Sequence, residues 1–305
     1  MGNSVDAQDR TLRPVTAGDR EQLADLALGA LRLDPGEGGS LVELFLEPAM
    51  AAGTGLVAVS GAAIIGVALG SVHGERGYVD LFAVAEDARR RGVGTALLHG
   101  LETRLRELGA STLMIGGNGN RYAWPGIDLG YTAALRLAAS LGYAPRGDAL
   151  NMDVDLHAWR PGSAPGALRR GGAGLTLRRA QPADWNELGA FVAREFTDGW
   201  RDEVAIGVSR ERPTVFVALR EDRFVGFGCH GLYRRGWFGP VGTADAERGN
   251  GIGEALLRLC LDDIAADGLT RAQISWVGPT AFYERTVGAV AGRRFAIVGK
   301  DVLPA

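Results

Sequence analysis

Two stretches of the chain share one pattern, and that repeat limits the fold more than any other feature of the sequence. The apolar, β-branched run Tyr78–Val84 leads through Asp87-Ala-Arg-Arg-Arg-Gly-Val-Gly into Thr95-Ala-Leu-Leu98. The run Trp237–Thr243 leads through Glu247-Arg-Gly-Asn-Gly-Ile-Gly into Glu254-Ala-Leu-Leu257. Each reads as strand, loop, helix. Each also fits Arg-x-x-Gly-x-Gly, on Arg89, Gly92 and Gly94 and then on Arg248, Gly251 and Gly253. Such glycines leave backbone N–H groups uncovered where a helix starts, and there the helix dipole and the unpaired donors favour an anion. Neighbouring arginines add charge and bidentate contacts suited to phosphate. A dinucleotide fingerprint would need a third glycine three residues after the second; Leu97 and Leu256 stand there instead. A plain glycine turn would need neither the arginines nor the repeat.

A second internal repeat is independent of these cradles. Leu12, Arg13, Asp19 and Leu23 recur at equal intervals as Leu177, Arg178, Asp184 and Leu188. Duplication is the economical account. At 305 residues the chain has room for two domains with their own cores. A Pro/Gly/Ser/Ala-rich stretch marks a linker, so the expected division is 1–157, linker 158–174, and 175–305. Strands are expected at Gly55–Val59, Ile64–Ser71, Tyr78–Val84, Ser111–Ile115 and Leu150–Leu156 in the first half. Thr214–Leu219, Phe224–Gly231, Trp237–Thr243, Arg271–Val277 and Arg294–Val298 are their counterparts in the second. The irregular segment Gly116–Ile127 is either a long surface loop or a lid lining a ligand.

Charge and composition narrow the function. The net charge of −3 gives no overall basic field for nucleic acid, so the arginine clusters serve local anions. Cys229 and Cys260 lie in apolar runs and read as buried thiols. The four histidines have no ligand spacing, so no metal is expected. The polar N-terminus lacks a signal core, and no apolar run reaches membrane-spanning length, which points to a cytoplasmic protein.

With these motifs the chain resembles a tandem pair of GCN5-related N-acetyltransferase (GNAT) domains, whose signature is Gln/Arg-x-x-Gly-x-Gly/Ala after the fourth strand. The resemblance implies two α/β (α+β) domains, each with a mixed, mostly antiparallel central sheet flanked by helices. It implies acetyl-CoA as cofactor, its pyrophosphate held by Arg89, Arg90, Gly92, Val93, Gly94 and Thr95 and by Arg248, Gly249, Gly251, Ile252 and Gly253. It also implies that a backbone N–H of the fourth strand meets the thioester, with Val84 and Thr243 closest to that place.

Acetyl transfer to an amine needs the amine proton removed and the leaving thiolate protonated. Family members commonly use a tyrosine in the helix after strand five for the second task. The segment Gly278-Pro-Thr-Ala-Phe-Tyr-Glu-Arg-Thr-Val-Gly288 is similar to that region and makes Tyr283 the proton-donor candidate. It carries one extra residue before Gly288, so the register can differ by one. The first half has Ala133–Gly142 there, with no tyrosine at the matching place; Tyr131 and Tyr143 flank it. Asp80 sits where many members carry an acid working through water, but it can equally be an outward-facing strand residue. Its counterpart is Gly239. Glu195, Asp198, Asp202 and Glu203 are alternatives as base or simply a solvated cluster. Arg89–Arg91 favour the first cradle for binding, while Glu254 beside Gly253 counts against the second.

The expectation is an acetyl-CoA-dependent N-acetyltransferase acting on a small primary amine, with the C-terminal half favoured as the catalytic unit by Tyr283. Paired domains with similar Gly-Gly-Asn and Gly-Pro-x-x-Phe-Tyr-Glu segments occur beside amino-sugar-processing domains, which points to an amino sugar or antibiotic amine. The rivals are a non-catalytic acetyl-CoA-binding sensor and a mycothiol-synthase-like acetyltransferase, whose C-terminal motifs match poorly. Neither nucleic acid nor a membrane is expected as partner; a monomer with pseudo-dimeric halves and a homodimer are both allowed.

Overall fold

Strand β1 (Arg10–Pro14) opens the chain in the computed structural model, which describes residues 10–118, 121–162 and 174–302. Helices α1 (Arg20–Ala30) and α2 (Gly38–Ala51) follow, then strands β2 (Gly55–Ser60), β3 (Ala63–His73) and β4 (Arg76–Val84). Helix α3 (Val93–Glu107), started by the first cradle, leads to β5 (Thr112–Ile115). A short strand β6 (Ile127–Asp128), helix α4 (Thr132–Ser140) and β7 (Ala144–Asp155) come next. The same order then recurs: β8 (Leu175–Arg179), α5 (Trp185–Glu195), α6 (Asp198–Val208), β9 (Val215–Arg220), β10 (Arg223–His230) and β11 (Trp237–Thr243). It ends with α7 (Ile252–Ala266), β12 (Arg271–Ile274), α8 (Thr280–Val287) and β13 (Val290–Asp301). None of the described helices is long and apolar enough to cross a membrane.

The chain forms two units, the first holding 10–118, Tyr122–Ala149 and 295–302, the second Arg121, 150–162 and 174–294. Each sheet is antiparallel except for one parallel pair, β4 with β5 and β11 with β12. The sequence-based halves and the compact units differ by an exchange of strands. The end of β13 completes the first sheet, with Val298 opposite Ile115 and Asp301 opposite Thr112. The end of β7 completes the second, with Asp155 opposite Arg271 and Met152 opposite Ile274. Hydrophobic alternation marks a strand without marking its partner, so the division near 157 and 174 follows the duplication and not the pairing. Residues 163–173 of the expected linker lie outside the described residues.

Helix α3 shows why the pattern folds this way. Val93, Leu97, Leu98, Leu101 and Leu105 form its buried stripe. Burial of each leucine contributes about 1.5–3 kcal/mol. The helix lies close on β3 because Gly66 has no side chain: a Cβ there would stand 2.8 Å from Leu97 Cδ1. Gly226 plays the same part under α7, where a Cβ would stand 3.0 Å from Ile252 Cγ2.

The second repeat also has a physical origin. Arg13 and Asp19 form a bidentate pair with both bonds at 2.7 Å, and Asp19 also accepts the Thr16 N–H at 2.8 Å. Arg178, Asp184 and the Gln181 N–H reproduce it at 2.6, 2.8 and 2.7 Å. Each pair clamps the first strand of its unit to the helix that follows. The Arg13 guanidinium holds the Asp19 carboxyl down at about 2.

Candidate functional site

The parallel pairing of β4 with β5 stops at Val79 and Ile115, while β4 continues to Val84 beside β3 alone. At that point β4 holds one residue too many. Leu81 faces Leu69 and Val79 faces Gly70, which leaves Asp80 as a β-bulge without a counterpart. The two strands part and open a cleft of about 840 Å³ in the first unit, and Asp80 lines it. Simple alternation left the face of Asp80 open; the bulge decides it.

The same cleft reaches the first cradle, lined there by Arg89, Arg90, Gly92, Gly94 and Thr95. Val93 instead turns its side chain into the core. Gly92, with φ 80°, is the residue before the helix, and Arg90 also has a left-handed φ of 62°. Left-handed backbone at a non-glycine residue is strained and tends to mark a site where the main chain is put to use. No side chain caps this helix, and the first intrahelical acceptor of the turn serves Ala96, whose N–H meets Gly92 O at 3.0 Å. The amides of Val93, Gly94 and Thr95 are therefore the open donors of the helix start. Arg89 Nε donates to Val84 O at 3.1 Å, and Arg90 is exposed. Val84 lines the cleft as well. Ala85 N–H donates to Ile65 O at 3.0 Å, so alternation turns the Val84 N–H to the opposite, open edge of β4.

At the other end of the cleft, Asp80 is held by a residue that the sequence left inside an undecided loop. Buried Asn118 donates from Nδ2 to Asp80 Oδ1 at 2.8 Å. Gly119 and Asn120 lie outside the described residues. Further along, Trp124 lines the cleft and donates from Nε1 to the buried Asp34 at 3.0 Å. Tyr131 Oη accepts the Leu33 N–H at 2.9 Å, and Arg32 donates to Gly130 O at 2.6 Å. These bonds tie the turn between α1 and α2 to the segment before α4. Asp128 on β6 adds a second carboxylate to the wall. The only hint of this wall in the sequence is the run of glycines, amides and aromatics over 116–127.

The second cradle has the same backbone and different charges. Gly249 and Gly251 have φ of 82° and 80°, and Ile252 and Gly253 begin α7. Its arginine is engaged: Arg248 pairs with Asp245 at 2.7 Å. Arg220 pairs with Glu247 at 2.7 Å, and Asn250 donates to the same carboxylate at 3.2 Å. Glu254 stands at the position of Thr95 and pairs with Arg258 at 3.0 Å. Ala244 N–H donates to Val225 O at 2.9 Å, so Thr243 presents its N–H to the open edge as Val84 does. The bulge in β11 falls at Gly239 and Pro240, with no carboxylate.

Tyr283 is buried against Phe238 and Phe282, and desolvation alone pushes its phenol up to about 12. It is Phe282 that faces this cradle, 3.9 Å from the Cβ position of Gly253. Of the other acids, Glu195 pairs with Arg194, while Asp198 and Asp202 are exposed. Glu203 is buried.

The profile of the acetyltransferase (GNAT) family matches residues 30–131 and, separately, 177–289. Solved structures share the fold. A GCN5-related glucosamine N-acetyltransferase region of a fungal multi-domain GH3 β-N-acetylglucosaminidase superposes with TM-score 0.77 at 20% identity, over 95% of this chain. This chain spans 38% of that protein's length. A GCN5-related N-acetyltransferase from Sphaerobacter thermophilus gives 0.71 at 20% identity, over 98% of this chain and 97% of the other. A tandem GNAT protein from the clavulanic acid biosynthesis pathway gives 0.69 at 16%, over 97% and 99%. At these identities the likeness is one of fold. Among curated proteins, none matches the chain.

Proposed function

We propose, for a chain that belongs to the acetyltransferase (GNAT) family by matches over more than half its length, that its first half binds acetyl-CoA and acetylates a small primary amine. The observation that carries this reading is the continuity of one cleft from Gly94 and Thr95 at the cradle to Asp80 at the bulge. The residues fit the cofactor: three uncapped amides and an exposed arginine suit a pyrophosphate. When bound, acetyl-CoA supplies an acyl group activated as a thioester.

The chain's own residues do the rest. Amides of Val93, Gly94 and Thr95, with Arg90, hold the phosphates. Val84 N–H, on the open edge of β4, would be the donor to the acyl oxygen of the bound thioester. Asp80, oriented by Asn118, takes the proton from the incoming ammonium. A carboxylate on the wall also attracts a cationic acceptor.

A second reading keeps the chemistry in the second half, as Tyr283 suggested from the sequence. In its favour, a phenol held near 12 keeps its proton at neutral pH and has it to give. Against it stand the three carboxylates around the second cradle, whose cations are engaged.

The test is thiol release from acetyl-CoA over a panel of amines. Amino sugars come first, because a region named as a glucosamine N-acetyltransferase shares the fold. Asp80→Asn is expected to lose about a hundredfold or more in turnover, with Tyr283→Phe close to wild type. The reverse result supports the second half. Acetyl-CoA binding without release on any amine supports a non-catalytic sensor.

A further inference from the structure

The first unit carries a segment that the second lacks. Sixteen residues, 116–131, join β5 to α4, whereas five, 275–279, join β12 to α8. The extra length leaves the sheet and returns to it at one place. Gly117 N–H donates to Pro125 O at 2.8 Å, and a Cβ on Gly116 would stand 2.5 Å from the same oxygen. So close a neck calls for glycine, as does the left-handed φ of 87° at Gly116. Past the neck, β6 takes up on β13 the line that β5 left: Ile115 lies opposite Val298 and Ile127 opposite Ala296.

Both arms of the neck bear on the cleft. Asn118 on one arm orients Asp80. Trp124 on the other is half-buried and packs against the core beneath α1 and α2, with its indole N–H given to the buried Asp34. The ring is fixed along that edge, and what it offers the cleft is carbon surface and no donor. Just past the neck, Asp128 also lines the cleft, with Oδ1 accepting the Gly130 N–H at 2.7 Å. A carboxylate accepts several such bonds at once.

An acceptor that uses this whole wall needs an apolar face for the indole, donors around its rim for Asp128 and an amine for Asp80. An open-chain polyamine uses the carboxylates and leaves the indole idle. An arylamine uses the indole and brings no donor to Asp128. A pyranose has C–H bonds on one face and hydroxyls around its edge, so an aminated pyranose meets all three. We propose, on the reading that the first half acetylates a primary amine, that Trp124 is the platform on which the acceptor ring lies and that Asp128 accepts from its hydroxyls, which makes the acceptor an amino sugar.

Thiol release, and calorimetry with CoA present, are compared for glucosamine, benzylamine and putrescine. Wild type is expected to favour glucosamine by about tenfold or more in kcat/KM, the worth of the hydroxyl bonds that the other two lack. Trp124→Phe and Trp124→Leu both lose the bond to Asp34, and only the leucine loses the ring, so the pair separates the platform from any effect on folding. Between these two variants, kcat/KM and Kd for glucosamine are expected to differ about fivefold, and those for putrescine by less than about twofold. Asp128→Asn keeps an oxygen for the Gly130 N–H and is expected to raise KM for glucosamine about tenfold. A wild-type preference for benzylamine or putrescine, or equal values for the two Trp124 variants on glucosamine, overturns the platform and leaves the first-half reading standing. Absence of thiol release with every amine overturns that reading, and the proposal with it.

Discussion

Asn118 Nδ2 lies 2.8 Å from Asp80 Oδ1 and 3.2 Å from Ser71 Oγ, so one buried amide ties the bulge of β4 to β3 and to the loop after β5. A carboxylate held this way keeps one orientation on the cleft wall, and misplacement of a base by an ångström is costly.

Asn118→Ala is therefore expected to lower kcat by about tenfold, and to leave the Kd for acetyl-CoA within about twofold, because Asn118 is remote from the cradle donors. Steady-state kinetics beside calorimetry check this. Wild-type kcat in a folded Asn118→Ala protein would show that Asp80 needs no such support.

The strand exchange makes a prediction that the motifs alone would not. Truncation after Arg294 leaves both cradles, Asp80 and Tyr131 in place, but removes the strand beside β5 and β6. Gly126 on the cleft wall packs directly on that strand, where a Cβ would stand 2.5 Å from Ala296 O. The truncated chain is expected to lose acetyl-CoA binding, measured by calorimetry. Full affinity would mean that the first unit does not depend on β13.

Glu203 predicts how stability varies with pH. Burial pushes its carboxyl up to about 8 from the ordinary 4.5, with a hydrogen bond from Tyr233 opposing. The folded protein keeps this proton at neutral pH and the unfolded chain releases it, so stability falls as pH rises from about 4.5 towards 8. Glu203→Gln stays neutral and keeps a polar group for Tyr233. At pH 8 it is expected to be more stable than wild type by about 2–4 kcal/mol, with little difference at pH 4.5. Urea unfolding at the two pH values decides it. The same dependence in both proteins would mean that Glu203 is ionised when folded.

What the sequence made legible was local. The cradles, the Arg13–Asp19 and Arg178–Asp184 clamps, and the acidic Glu254 all depend on residues close in sequence, where spacing determines geometry. The bulge at Asp80 was not legible, because a single extra residue changes pairing without disturbing the hydrophobic pattern. Nor was the support from Asn118, or the tie of Trp124 to Asp34, which joins residues ninety apart in the chain. Tyr283 matched its motif, yet its setting is an aromatic cluster, and only the folded chain places Phe282 toward the cradle.

On the proposed reading, acetyl-CoA is held in the first half and not in the second. Thr95→Glu places at the first cradle the residue that the second already carries at the same point, so the backbone accommodates it while the charge opposes a pyrophosphate. Titration of acetyl-CoA into wild type, Thr95→Glu and Glu254→Thr measures the claim directly. One site is expected in wild type, with its loss in Thr95→Glu and its retention in Glu254→Thr. Undiminished binding in Thr95→Glu would contradict it and place the cofactor elsewhere in the chain.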